Sequence, residues 1–192
     1  MEVLRFWVVE MTLYRKKYRI GSIRLKDWDY GSPGYYFVTI CTEGRKCFFG
    51  KVIEDEMKLS SLGRIASRYW HEIPSHFPYV KLDEYIVMPN HIHGIIIIGD
   101  HKIVETQNFV SLPERKGNRF GPQSKNLASI IRGYKIGVKK WSRINNIPFS
   151  WQRNYYEHII RSENELNEIR EYILNNPIKW SEDEGNPDNV KK

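Results

Sequence analysis

The sequence predicts an α+β domain in which helices pack on an antiparallel sheet. Three observations lead there. Strand-like and helix-like periods follow one another in the order strand or hairpin, helix, strand, strand, helix, strand, helix. The two central strands are joined only by Pro89-Asn90, a link too short for a parallel crossover, so they must run antiparallel. At 192 residues, 41% hydrophobic and 28% charged, the chain can bury a core as one domain with tails.

The elements follow in order. Residues 1–21 lack a clear period, include "YRKKYR" and form a basic N-terminal arm; seven Lys and Arg stand against two acids in residues 1–26. Gly31–Gly34 marks a turn, and the aromatic and β-branched run Tyr35–Cys41 a strand. "EGRK" reads as a hairpin tip leading into "CFFGKVIEDEMKLS". Leu62–Phe77 is helical by the spacing of Ile65, Tyr69 and Ile73, with Pro74 and Pro78 helping to end it. "VKLDEYIVMP" and "HIHGIIIIG" are the two strands around the Pro89-Asn90 turn. Gly99–Gln123, polar and aperiodic, is a surface loop.

Ser124–Asn145 is a helix with two faces. Leu127, Ile130, Ile131, Tyr134, Val138 and Trp141 make its apolar stripe, and Arg132, Lys135, Lys139 and Arg143 a basic one. Tyr155–Arg161 is a short strand. Ser162 with Glu165 three residues on forms a capping box for a last helix, which buries Leu166, Ile169 and Ile173 and ends at Pro177. From Ser181 an acidic tail, residues 181–192, reads as frayed.

Charge and composition narrow the function. Net charge is +7, with eight basic residues against one acid between Ser124 and Arg161. A basic block beside neutral and acidic ones suggests a polyanion-binding face, the alternative being a solvated helix surface. No apolar run approaches the ~20 residues that span a bilayer. The opening "MEVLRFWVVE" lacks the basic start and cleavage site of a signal peptide. Cys41 and Cys47 show no metal or redox spacing and suit a reducing cytoplasm, where the chain is expected.

His91 and His93 sit at the mouth of an isoleucine strand. Alternation places both on one face, about 7 Å apart along it. Two such imidazoles can chelate a divalent cation and leave positions open for a third ligand, water and substrate; they can equally be two hydrogen-bonded histidines at a sheet end. His71, His76 and His101 read as surface or helix residues, and His158 as structural. The chain has no nucleophile elbow, Walker-type loop or CxxC. It has twelve tyrosines, and a tyrosine can attack phosphorus and hold a phosphate ester. Tyr134 belongs to a core stripe and Tyr85 to sheet packing. Tyr155 and Tyr156 lie among basic residues and suit base stacking or phosphate contact. Tyr172 stands beside the buried stripe of the last helix, with Asn176 four residues on along the same face. The Asn176 amide oxygen suits a hard cation, or a helix cap before Pro177.

"SIRLKDWDYGSPGYYFVTICTEGRKCFFG", "MPNHIHGIIII", "LASIIRGYKIGVKKW", "WQRNYYEHIIR" and "EYILNNPIKW", in this order, resemble the REP-associated tyrosine transposases. These belong to the single-tyrosine HUH transposases, named for a His-hydrophobic-His motif. The resemblance runs from Ser22 to Trp180 and implies a ferredoxin-like fold over residues 22–180. It matches His91 and His93 to the motif, Tyr172 to the nucleophile and Asn176 to the third metal-ligand position, where related enzymes often carry Gln or His. It further implies Mg²⁺ or Mn²⁺, cleavage and rejoining of single-stranded, hairpin-containing DNA, and a 5′-phosphotyrosine with a free 3′-OH. Arg132, Lys135, Lys139, Arg143, Arg153 and Arg161 would then track phosphates, and Trp151, Tyr155 and Tyr156 would stack on bases. A non-catalytic nucleic-acid-binding module and a hydrolase using water are the competing readings. Monomer and helix-swapped dimer both remain compatible with the sequence.

Overall fold

The computed structural model describes residues 28–99, 125–183 and 185–189, and the backbone of two short strands, β1 (Leu13–Tyr14) and β2 (Tyr18–Arg19), which pair with each other. The rest of residues 1–27, residues 100–123 of the predicted loop with His101, and residues 124, 184 and 190–192 lie outside the described residues.

The predicted α+β class is the one the chain adopts. Strands β3 (Gly34–Cys41), β6 (Val80–Val87), β7 (His91–Ile98) and β8 (Tyr156–Ile160) form one sheet in the order β6-β7-β3-β8, with every neighbouring pair antiparallel. Helix α1 (Ser61–His71) and the short α2 (Ile73–His76) connect β3 to β6, and α3 (Leu127–Ile144) leads from β7 to β8. Since β3 and β6 flank β7, and β7 and β8 flank β3, each connection is a split β-α-β unit, which gives the ferredoxin-like arrangement. A fourth helix, α4 (Glu163–Leu174), follows β8.

The register explains how the faces divide. On β3 and β7, Tyr36, Val38, Ile40, Ile92, Ile96 and Ile98 join Trp70 of α1 and Ile130, Ile131, Tyr134 and Val138 of α3 in the main core. The alternate residues Phe37, Ile95 and Ile160 point the other way and pack with Leu166, Ile169 and Ile173 of α4. The sheet is therefore covered on both sides. A register shift in β6 between Leu82 and Tyr85 lets both of these pack on the main core. The Tyr134 hydroxyl donates to the Ala66 carbonyl at 2.9 Å, tying α3 to α1.

Gly94 is fixed by contact. A Cβ there would lie 2.3 Å from the Trp70 ring, which stacks on Tyr85 and takes an edge contact from Tyr134. Gly94→Ala is expected to destabilise the fold by about 1–3 kcal/mol, read as a lowered thermal midpoint; an unchanged midpoint would contradict this packing.

The Arg170 guanidinium docks α4 on the sheet edge, donating to both Asp83 oxygens at 2.8 and 2.5 Å. This pairing holds the Asp83 carboxyl below its ordinary value. A carboxyl whose folded pKa is depressed adds stability above its unfolded value and loses it as pH falls through the folded value. Arg170→Ala is expected to cost about 1–3 kcal/mol at neutral pH in urea unfolding. The gap from wild type should close below about pH 4, where the unfolded carboxyl protonates.

Three readings shift in the structure. The helix expected over Leu62–Phe77 is broken at Glu72 into α1 and α2, with Pro74 in the short second helix. "EGRK" is not a hairpin tip: Glu43–Arg45 is a 3₁₀ turn, and the hairpin β4 (Gly50–Ile53) and β5 (Glu56–Leu59) turns at Glu54-Asp55. Both of those residues take positive φ, 51° and 59°, as a two-residue hairpin turn requires. The acidic tail does not simply fray: Gly185 and Asn186 are buried, and the Asn186 Nδ2 donates to the Trp180 carbonyl at 3.1 Å.

Candidate active site

β7 lies between β6 and β3, so its first residues are held from both sides. His91 pairs across from Cys41 and His93 from Thr39, on the face covered by α4. Both imidazoles are buried, with ring centroids 4.4 Å apart. The His93 ring stacks on Phe37 at 5.4 Å, and its Nδ1 lies 2.9 Å from the Thr39 hydroxyl. The His91 Nδ1 lies 2.8 Å from the Asn90 side-chain oxygen.

The last helix brings the phenol to the pair. Ile173 is in the core under α4, and the neighbouring Tyr172 is turned toward the histidines. Its hydroxyl is 3.2 Å from His93 Nε2, and its ring meets Phe37 edge-on at 6.2 Å. Asn176 follows the helix end, is buried, and interacts with both His91 and Tyr172. All four residues singled out in the sequence converge within one chain.

Burial dominates the electrostatics. It pushes the His91 imidazole down to about 4, with Asp183 and Asn176 opposing and Arg45 reinforcing the shift. His93 is pushed well below its ordinary value by burial, then by His91 and Arg45. Both rings are therefore neutral at pH 7, the form in which imidazole binds a metal. Burial raises the Tyr172 phenol, partly offset by its hydrogen bond with Asn176, so it keeps its proton at neutral pH.

Two buried atoms here have no hydrogen-bond partner, His91 Nε2 and Asn176 Oδ1. Buried polar atoms are rarely left so, and both are lone-pair donors suited to a cation. With His93 Nε2 they offer two nitrogens and an amide oxygen, a set that fits a divalent metal with room for water or phosphate. Among the described residues no cluster of three His, Cys, Asp or Glu could hold a metal, and within them the Asn176 amide oxygen offers a third donor beside the two histidines.

The predicted DNA-contact residues divide. Arg132, Lys135, Lys139, Arg143, Trp151, Arg153 and Tyr155 line one groove of about 590 Å³ between α3 and the segment before β8. Trp151 is bridged to Thr42, next to the end of β3, and its indole N–H donates to the Lys135 carbonyl at 3.0 Å. Lys135 and Lys139 are partly spent inside the protein. Lys135 Nζ donates to the Gln152 carbonyl at 2.6 Å, and Lys139 Nζ to the Phe149 carbonyl and to Ser150 Oγ. Tyr156 and Arg161 do not line this groove: Tyr156 packs with the α4 cluster, and Arg161 is exposed at the start of α4. His158 lies 2.6 Å from Glu165, a contact that fits a structural role.

Sequence reasoning missed Lys140 and Ile136, which also line the groove. It read Asn90 only as a turn residue, although its oxygen meets His91. It passed over Arg45 and Asp183, whose charges reach His91 and Tyr172; nothing in their spacing marks them. Among the described residues no helix is long and apolar enough to cross a membrane.

In fold the chain is similar to a REP-associated tyrosine transposase solved bound to a REP hairpin, with a TM-score of 0.56 and 17% identity over 83% of this chain and 74% of that one. The two share the transposase's α+β architecture, an antiparallel sheet with helices packed on it. An uncharacterized protein of Haemophilus influenzae is 45% identical over 177 residues, covering 88% of this chain and 96% of the relative. The chain belongs to the same family as that Haemophilus protein. No protein-family model matches it.

Proposed function

We propose that the chain is a transposase that cuts and rejoins single-stranded, hairpin-containing DNA, with Tyr172 as nucleophile beside a Mg²⁺ or Mn²⁺ site formed by His91, His93 and Asn176. One observation carries the reading: the Tyr172 hydroxyl sits 3.2 Å from His93 Nε2, next to two buried donors that have no other partner. The similarity in fold to a transposase that binds a DNA hairpin is consistent with it.

The metal, when bound, supplies Lewis-acid polarisation of the scissile phosphate. Tyr172 Oη attacks phosphorus in line with the leaving 3′ oxygen, and the phenolic proton passes to solvent. The P–O3′ bond breaks as the P–O(Tyr) bond forms, giving a 5′-phosphotyrosine, and the 3′ oxygen takes up a proton. Attack by another 3′-OH reverses these steps and frees the tyrosine, so no nucleotide cofactor is consumed. The sheet and α4 hold the histidines and the tyrosine in place before DNA arrives, which removes most of the orientational cost.

The groove on α3 takes the phosphate backbone. Lys140, Arg143 and Arg153 are exposed there, while Lys135 and Lys139 mainly hold the Phe149–Arg153 segment against the helix. Trp151 and Tyr155 offer faces on which unpaired bases can stack. Arg143→Ala is expected to weaken binding to all single-stranded sequences alike and to reduce the salt slope by about 1, measured by fluorescence anisotropy across salt concentrations. A sequence-selective loss would argue that Arg143 reads bases.

The test of the function is a suicide assay. The protein is mixed with labelled hairpin DNA carrying a single-stranded flank, plus Mn²⁺, and resolved on a denaturing gel. A covalent protein–DNA adduct with a free 3′-OH product is expected. Cleavage without an adduct would indicate a hydrolase using water. Binding without cleavage would indicate a non-catalytic nucleic-acid-binding module.

A further inference from the structure

We propose that Asn90 is a positioning residue for the metal site, its side-chain amide holding His91 in the Nδ1–H tautomer so that the bare Nε2 faces the cation. The inference rests on the metal reading above and extends it to a residue outside the ligand set.

Asn90 is fully buried in the β6–β7 turn. Its Nδ2 donates twice, to the Arg45 carbonyl at 2.9 Å and to the Gly185 carbonyl at 2.7 Å. Both amide hydrogens are thereby committed. Flipping the amide would set its oxygen against two carbonyl oxygens, so the orientation is fixed by the network. The Asn90 oxygen then faces His91 Nδ1 at 2.8 Å and can only accept, so the imidazole must donate from Nδ1. In a neutral ring this leaves Nε2 unprotonated, a buried nitrogen that forms no hydrogen bond although Asn176 lies beside it.

The turn itself is pinned. Thr42 N–H donates to the Asn90 carbonyl and Phe49 N–H to the Pro89 carbonyl, each at 2.9 Å, and Met88 N–H donates to the His91 carbonyl at 2.8 Å. Arg45, whose carbonyl receives Asn90, has φ of 52°, a conformation non-glycine residues seldom adopt. The Gly185 carbonyl comes from the folded-back C-terminal turn. Two distant segments thus converge on one amide and, through it, on the aim of one nitrogen. Such outer-shell partners typically change metal affinity by about 10–100-fold.

The experiment is nitrogen NMR of the histidine rings in the metal-free full-length chain, paired with Mn²⁺ titration by calorimetry. In the wild type, His91 is expected with a proton on Nδ1 and none on Nε2. Asn90→Ala is expected to shift the ring toward the Nε2–H tautomer and to weaken Mn²⁺ binding about 10–100-fold. A protonated Nε2 in wild-type His91 overturns the role of Asn90 even where Mn²⁺ binds. So does a folded Asn90→Ala with unchanged tautomer and affinity. If Asn90→Ala does not fold, shown by circular dichroism, the wild-type tautomer decides. A wild-type chain that binds no Mn²⁺ overturns the metal reading itself, independently of the tautomer.

Discussion

Replacing Tyr172 with phenylalanine is expected to abolish the covalent protein–DNA adduct and to lower DNA cleavage by at least about a thousandfold. The substitution removes one oxygen and leaves the ring against Phe37 and His93, so α4 should stay docked. The lost hydrogen bonds, one to His93 at 3.2 Å and one with Asn176, should together cost no more than about 2 kcal/mol of stability. The groove on α3 is untouched, so binding to hairpin DNA should persist. Tyr156 supplies the control, since it packs in the same cluster as Tyr172. Burial, aided by Glu157, pushes its phenol up to about 12. Tyr156→Phe should keep the adduct, because it is Tyr172 whose hydroxyl meets His93 Nε2. An adduct that survives in Tyr172→Phe and disappears in Tyr156→Phe would move the nucleophile to β8 and sink the assignment.

Much of this arrangement was legible before the structure because it depends on local patterns. Alternation put His91 and His93 on one face, and the two-residue link at Pro89-Asn90 forced an antiparallel pair. Helical spacing set Tyr172 and Asn176 on a shared face, although only the packing of Ile169 and Ile173 on the sheet turns that face toward the histidines. The features that escaped are set by distant contacts. Asn90 has the usual composition of a turn residue; its role comes from carbonyls 45 and 95 residues away. Lys135 and Lys139 lie on a basic stripe, yet three loop carbonyls and a hydroxyl draw their ammonium groups inward, so a charge stripe overstates the cations left for phosphate. The tail from Ser181 has the acidic, Gly- and Pro-containing composition of a loose end, but Asn186 and Asn189 cross-link it through their side-chain amides. The hairpin tip was misplaced because "EGRK" and Glu54-Asp55 are both turn-like, and only the pairing of Val52 with Met57 selects the second.

His93→Ala is expected to separate the chemistry from DNA binding. His93 lies between His91 and Tyr172, and its Nε2 is 3.2 Å from the Tyr172 hydroxyl. Losing the imidazole leaves at most one nitrogen and one amide oxygen for a cation, so Mn²⁺ affinity should fall by more than about a hundredfold. Adduct formation should vanish with it. The variant also leaves a void beside Phe37 and strips the Thr39 and Tyr172 hydroxyls of a partner, so a loss of about 1–3 kcal/mol in stability is expected. That cost should not reach the α3 groove, which is built from the helix and the Phe149–Tyr155 segment rather than from α4. Hairpin-DNA affinity and its salt slope should stay within about twofold of wild type, because the phosphate contacts carry both. Measuring both in the folded variant, at a temperature below its melting midpoint, decides the matter. If cleavage and DNA binding fall together while the circular dichroism remains native, the histidines belong to the DNA surface and not to a metal centre. If cleavage survives, the imidazole at position 93 takes no part in the chemistry, and the 3.2 Å approach of Tyr172 to it is packing alone.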